Sequence, residues 1–157
     1  MELDRVVAVV RPGSDELAQA LKNEGCEVVV CENAAEGMGA SLACAARAAA
    51  DSPGPPADGY LIALGDMPFV RRTTIAAVRD ALAAGAPLAA PYFHARRGHP
   101  VALSRIYYND LLTLRGDAGA KQLLAQNERA LVKIPVGDPG VIRDIDTPGD
   151  LAPPLRI

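Results

Sequence analysis

An apolar run, Tyr60–Leu64, ends in Gly65-Asp66 and is followed at once by Met67-Pro68. An aspartate after a strand is ordinarily a helix cap. Here the next helical pattern starts near Thr73 or Thr74, which are cap candidates in their own right. Pro68 also keeps Met67 out of helical geometry. Asp66 is therefore either a simple turn aspartate or a carboxylate held at a sheet edge to bind a divalent cation on a phosphate ligand. A second signal is Asp144-Ile145-Asp146. In extended chain, residues two apart share a face, so both aspartates could face one site while Ile145 packs inward. Magnesium suits this pattern, because it takes one or two carboxylates and leaves its other positions to water and phosphate oxygens. Asp144 reads equally well as a solvated charge. Asp146 is the stronger candidate, since Thr147 can cap the following turn with Pro148 at its first position.

Three loops accompany these carboxylates. Glu36-Gly37-Met38-Gly39-Ala40-Ser41 opens a helix; glycines allow close approach of a ligand, and free amides at a helix start favour an anion. An ordinary tight turn accounts for the same residues. Arg96-Arg97-Gly98-His99-Pro100 reads either as a polar hairpin tip or as a clamp for an anionic substrate, since guanidinium groups match phosphate geometry. No nucleophile pairs with His99, so no hydrolase triad is read. Gly116-Asp117-Ala118-Gly119-Ala120-Lys121 reads first as a helix start capped by Asp117 and second as a substrate contact. Pro12-Gly13-Ser14-Asp15 is rejected as a phosphate loop, because Asp15 and Glu16 in the first helical turn would repel an anion. Cys26, Cys31 and Cys44 show no CxxC spacing and read as small buried residues.

The elements that must position these groups alternate. Strands are expected at Arg5–Val10, Glu27–Cys31, Tyr60–Leu64, Leu88–Tyr92, Val101–Ser104 and Leu131–Val136. Helices are expected at Asp15–Asn23, Ser41–Ala50, Thr74–Ala84, Asp110–Leu114 and Ala118–Asn127, with Asp51–Asp58 a proline-rich loop. The alternation predicts one α/β domain over residues 1–157, with a mostly parallel sheet. Ligands of such sheets lie outside the carboxyl ends of the strands, where Asp66 falls. A length of 157 residues and 50% hydrophobic content suffice for a core. The net charge of −3 argues against nucleic acid as the main partner. No window reads as a membrane span and Met1-Glu2-Leu3-Asp4-Arg5 is not a signal peptide, so a cytoplasmic location is expected.

Five motifs in order, EGMGASL (36–42), LGDMP (64–68), RRGHPV (96–101), GDAGAK (116–121) and DIDTPGDL (144–151), resemble those of molybdenum cofactor nucleotidylyltransferases. They look most like the molybdopterin cytidylyltransferase branch. The resemblance implies a three-layer, Rossmann-like nucleotidyltransferase fold. It also implies transfer of a nucleotide monophosphate from CTP, or GTP in a sister branch, to molybdopterin. By this resemblance Asp66 and Asp146 are the catalytic, magnesium-binding positions. Gly37, Gly39, Ser41, Arg97, His99 and Asp117 are the binding candidates. Gly149 stands where the family often has Glu, and Lys121 where Arg is common.

By this resemblance the family's first strand and its Gly-rich, base-reading loop are expected to be missing from this sequence, a difference on the order of 30 residues or more by the size of a βαβ unit. The strand would lie between Arg5–Val10 and Tyr60–Leu64, so those two are expected to pair directly or to be completed by a second copy or a partner chain. Three functions follow as expectations: a nucleotidyltransferase, impaired or partner-dependent as it stands; a non-catalytic pterin- or partner-binding module; and a nucleotide-sugar glycosyltransferase using Asp144 and Asp146.

Overall fold

Three valines in each of two four-residue stretches, Val7–Val10 and Glu27–Val30, make the first pair of strands. Branched side chains favour the pleated, half-buried surface they occupy. The structure, a computed structural model, describes residues 3–151; Met1 and Glu2 of the N-terminal segment lie outside the described residues. In chain order the elements are β1 (Val7–Val10), α1 (Asp15–Asn23), β2 (Glu27–Val30), α2 (Met38–Asp51), β3 (Gly59–Ile62), α3 (Arg72–Ala83), β4 (Leu88–Phe93), β5 (Arg96–Arg97), β6 (Val101–Ser104), α4 (Tyr108–Thr113), α5 (Gly119–Gln126) and β7 (Leu131–Pro135).

The chain forms two units, one of residues up to Asp58 with Arg105–Glu128, the other of Gly59–Ser104 with residues from Arg129 onward. In the first unit β1 and β2 pair in parallel, with Val7 opposite Glu27, and α1 makes the crossover between them. Helix α2 buries Gly39, Ala40, Ala43 and Ala46, a stripe of small residues at helical spacing. With no bulky side chain on that face, α2 lies close against β1, α4 and α5. Leu111, Leu114, Leu123 and Leu124 are buried and supply the larger apolar volumes.

In the second unit the strand order is β3-β6-β4, with β7 beside β4 and β5 folded back on β4. Val78, Ala89 and Ala102 form a fully buried cluster, with Leu61, Leu82 and Ile134 packed on it. Gly59 is required in β3, since a Cβ there would lie 2.5 Å from a methyl of Leu82.

The α/β class is as expected, but the pairing is mixed rather than mostly parallel. Among the described residues only β1/β2 and β4/β7 are parallel; β3/β6, β4/β5 and β4/β6 are antiparallel. The cause is the short connections after β4. Two residues, His94 and Ala95, turn the chain back into β5, and a tight hairpin can join only antiparallel strands. The expected direct pairing of β1 with β3 is not among the strand pairs of the described residues. Among the described residues β1 pairs with β2 and β3 with β6, in separate sheets.

Candidate functional site

The Asp66 loop and the segment from Asp138 to Asp146 are laced together in opposite directions, all within the second unit. At one end the backbone amide of Arg71 donates to Asp138 Oδ2 at 2.9 Å. Further along, Gly140 packs so closely on the backbone of Phe69 and Val70 that a Cβ could not be accommodated. Next, the Arg143 guanidinium lies 4.0 Å from the centre of the Phe69 ring. At the far end the Ile145 amide donates to the Asp66 carbonyl at 2.8 Å.

This last bond sets Asp66 beside Asp144-Ile145-Asp146. Residues 143–146 form no strand, yet Ile145 is half-buried between exposed Asp144 and Asp146, as the two-residue alternation anticipates. Asp66 is exposed as well. Among the described residues neither the Asp66 nor the Asp146 carboxylate accepts a hydrogen bond. The turn that follows is held by Asp150, whose carboxylate accepts from the amides of Asp146 and Thr147 at 3.2 and 2.7 Å and from Thr147 Oγ1 at 2.8 Å. Those bonds with Thr147 hold the Asp150 carboxyl below the usual range. Asp146 itself is left without a structural task for its side chain.

The Arg96–Pro100 segment docks on the same strap. The His99 amide donates to the Val141 carbonyl at 2.9 Å, and Gly98 presses against Val141 where a Cβ would clash. Burial pushes the His99 imidazole below its ordinary pKa and the charge of Arg97 adds to this, while the charge of Asp66 works the other way. His99 is thus a neutral imidazole at pH 7, within electrostatic reach of both Arg97 and Asp66. Four of the expected residues, Asp66, Arg97, His99 and Asp146, belong to this one assembly.

The other four, Gly37, Gly39, Ser41 and Asp117, lie together in the first unit, where the glycines have a structural explanation. A Cβ on Gly39 would lie 2.7 Å from the backbone of Arg115, and one on Gly37, at φ +123°, would clash with Gly116 and lie 2.6 Å from Asp117 Oδ1. Ser41 is half-buried on α2. Asp117 falls inside a 3-10 turn, Gly116–Ala118, one residue too early to cap α5.

The cap of α3 is likewise not Thr73 or Thr74. The helix begins at Arg72, and its start is held by Asp138, a buried carboxylate that accepts from Arg71 N, from Thr74 Oγ1 at 2.7 Å and from Gly140 N at 3.0 Å. Asp138-Pro139 carries a readable local signal, a cap residue before proline at the first turn position. Its second task, 67 residues away at Arg71, has none. Arg143 and Phe69 also escaped the sequence reading.

Two exposed carboxylates without structural partners are a hard-oxygen donor set that suits magnesium or manganese. Among the described residues no group of three or more His, Cys, Asp or Glu side chains converges for a metal. Also among the described residues, no helix is long and apolar enough to cross a membrane.

A family profile, that of the MobA-like NTP transferase domain, matches residues 1–131. No curated protein matches the chain at a significant level. Among solved structures, Rv0371c from Mycobacterium tuberculosis H37Rv superposes with a TM-score of 0.78 at 27% identity, over 95% of this chain and 74% of its own. Its complex with manganese gives a TM-score of 0.77 at 26% identity, over 95% and 76% of the two chains. Molybdopterin-guanine dinucleotide biosynthesis protein A from Archaeoglobus fulgidus shares the fold, with a TM-score of 0.56 at 19% identity over 90% of this chain and 73% of its own.

Proposed function

Because the chain belongs to the MobA-like NTP transferase family, we propose that it is a metal-assisted nucleotidyltransferase whose ion is held by Asp66 and Asp146, with CTP as donor and molybdopterin as acceptor. The single observation that supports the reading is the bond from the Ile145 amide to the Asp66 carbonyl, which ties the backbone of Asp66 to the residue before Asp146. A bound magnesium or manganese ion would offset charge on the phosphates. Arg97 would contact a phosphate oxygen of donor or acceptor, and the neutral His99 would offer one ring nitrogen as a hydrogen-bonding group. A terminal phosphate oxygen of the acceptor attacks the α-phosphorus, the bond to the bridging oxygen breaks, and pyrophosphate leaves. Such an exchange depends on positioning and charge and needs no general base from this chain. Gly37, Gly39, Ser41 and Asp117, in the first unit, are nucleotide-binding candidates by motif alone.

A second reading rests on the separate sheets of β1 and β3: among the described residues β1 pairs with β2 and β3 with β6. In it the chain is impaired alone and gains activity when a second copy or partner chain completes those sheets, or else it has become a pterin- or partner-binding module. Membership in an NTP transferase family sets the glycosyltransferase aside.

Calorimetric titration of CTP and of GTP, each with magnesium or manganese, into the wild type and Asp66→Asn tests the first reading. Micromolar binding that the variant loses supports it; equal binding by both proteins overturns the role of Asp66. Nucleotide binding that appears only in a dimer fraction separated by size favours the second reading.

A further inference from the structure

Asp66 and Asp146 lie on different loops, and something must fix the distance between them. The contacts of Arg143 run from one to the other. Its guanidinium stacks on Phe69, three residues after Asp66, at 4.0 Å from the ring centre. Its Nη2 donates to the Asp150 backbone carbonyl at 2.6 Å. Asp150 in turn holds the Asp146 amide through its carboxylate at 3.2 Å. With the Ile145–Asp66 backbone bond at 2.8 Å, these contacts close a ring: Asp66, Phe69, Arg143, Asp150, Asp146, Ile145 and back to Asp66. A guanidinium can sit over an aromatic face and still donate hydrogen bonds from its other nitrogens, which a lysine ammonium cannot reproduce.

We propose that Arg143, seated on Phe69, is the positioning residue of the acidic site and sets the separation at which Asp66 and Asp146 share one divalent cation. The proposal rests on the reading of those two carboxylates as ion ligands. Its test is therefore built so that each can fail alone.

The positioning role and a simple charge role have opposite signs. Removing a cation beside two carboxylates would tighten the binding of another cation if charge were all that mattered. If Arg143 positions them, its loss loosens binding, by about tenfold on the scale of outer-shell substitutions at metal sites. The measurement is Mn2+ affinity of the full chain, by the electron paramagnetic resonance signal of free Mn2+, without nucleotide. Asp66→Asn should abolish binding. Arg143→Ala should weaken it about tenfold, and Phe69→Leu, which keeps the Arg143 charge and most of the apolar volume, should weaken it in the same direction. Phe69→Tyr, which keeps the ring, should restore it. The double variant Arg143→Ala/Phe69→Leu should bind no worse than Arg143→Ala alone, because the two act through one contact.

Binding by Arg143→Ala as tight as wild type, or tighter, with Asp66→Asn still inactive, overturns the positioning role and leaves the acidic site standing. Should Arg143→Ala fail to fold, Phe69→Leu carries the test, and wild-type affinity in that variant overturns the proposal. Equal Mn2+ binding by wild type and Asp66→Asn overturns the carboxylate reading and this proposal with it.

Discussion

Around Gly37 and Gly39 the chain closes on itself, and a Cβ at either position would run into the backbone of residues 115–116. Around Gly65 nothing lies within 4 Å of the place a Cβ would take, and the neighbouring Asp66 is exposed. Both stretches put glycine next to residues suited to a ligand, and read as sequence they make the same suggestion. They differ in what fills the space. In the first unit protein backbone occupies it, which explains the glycines without a ligand. In the second unit the space is open, and the carboxylate beside it takes no part in holding the fold. Four aspartates of the second unit divide in the same way: among the described residues Asp138 and Asp150 are engaged by amides and hydroxyls, whereas Asp66 and Asp146 are not.

The largest effect should come from filling the closed region. Gly37→Ala combines a clash with backbone and a φ of +123°, and should destabilise the protein by about 3–4 kcal/mol in urea denaturation. Gly39→Ala, with the clash alone, should cost about 2 kcal/mol. Gly65→Ala meets nothing and should stay within about 0.5 kcal/mol of wild type. A Gly65→Ala variant as unstable as Gly37→Ala would break the comparison.

The aspartates sharpen it at the next scale. Asp138→Ala removes a buried acceptor of three hydrogen bonds and uncaps α3, and should cost about 3 kcal/mol. Asp66→Asn and Asp146→Asn should each change stability by less than about 0.5 kcal/mol, since neither side chain is tied to the fold. Thermal and urea unfolding of the three variants side by side would reveal a structural role for Asp66 if its loss approached that of Asp138.

What the sequence disclosed follows the same physical divide. Valine-rich strands, the apolar run that delivers Asp66 and the alternation at Asp144-Ile145-Asp146 are local patterns, and each was legible. The hairpin after β4 was not, because its two turn residues are His94 and Ala95 at φ +46° and +63°, where Asn-Gly or Asp-Gly would have announced the turn. Neither was the start of α3, because the carboxylate that caps it lies far along the chain. The Arg143–Phe69 stack is invisible for the same reason, since 74 residues separate its partners in sequence. Thus the ligand candidates could be named from sequence, but the lacing that gathers Asp66, Arg97, His99 and Asp146 could not.

The smallest effect concerns the first unit and its dependence on pH. Burial raises the Cys44 thiol pKa above its ordinary value of 9.0, with the hydrogen bond and charge of Cys31 adding to the rise and Arg47 opposing it. In the unfolded chain the thiol ionises near its ordinary value, while in the folded chain it stays protonated to higher pH. Between those two values the unfolded state has lost a proton that the folded state keeps, so stability falls as pH rises through that window. Cys44 therefore contributes its full stabilisation below about pH 9 and loses it in alkali. Urea midpoints from pH 8 to 10.5 should decline more steeply for wild type than for Cys44→Ala, with tyrosine and lysine ionisation common to both. Parallel slopes would mean that the thiol ionises as freely in the fold as outside it, and that the closed packing of the first unit stops short of Cys44.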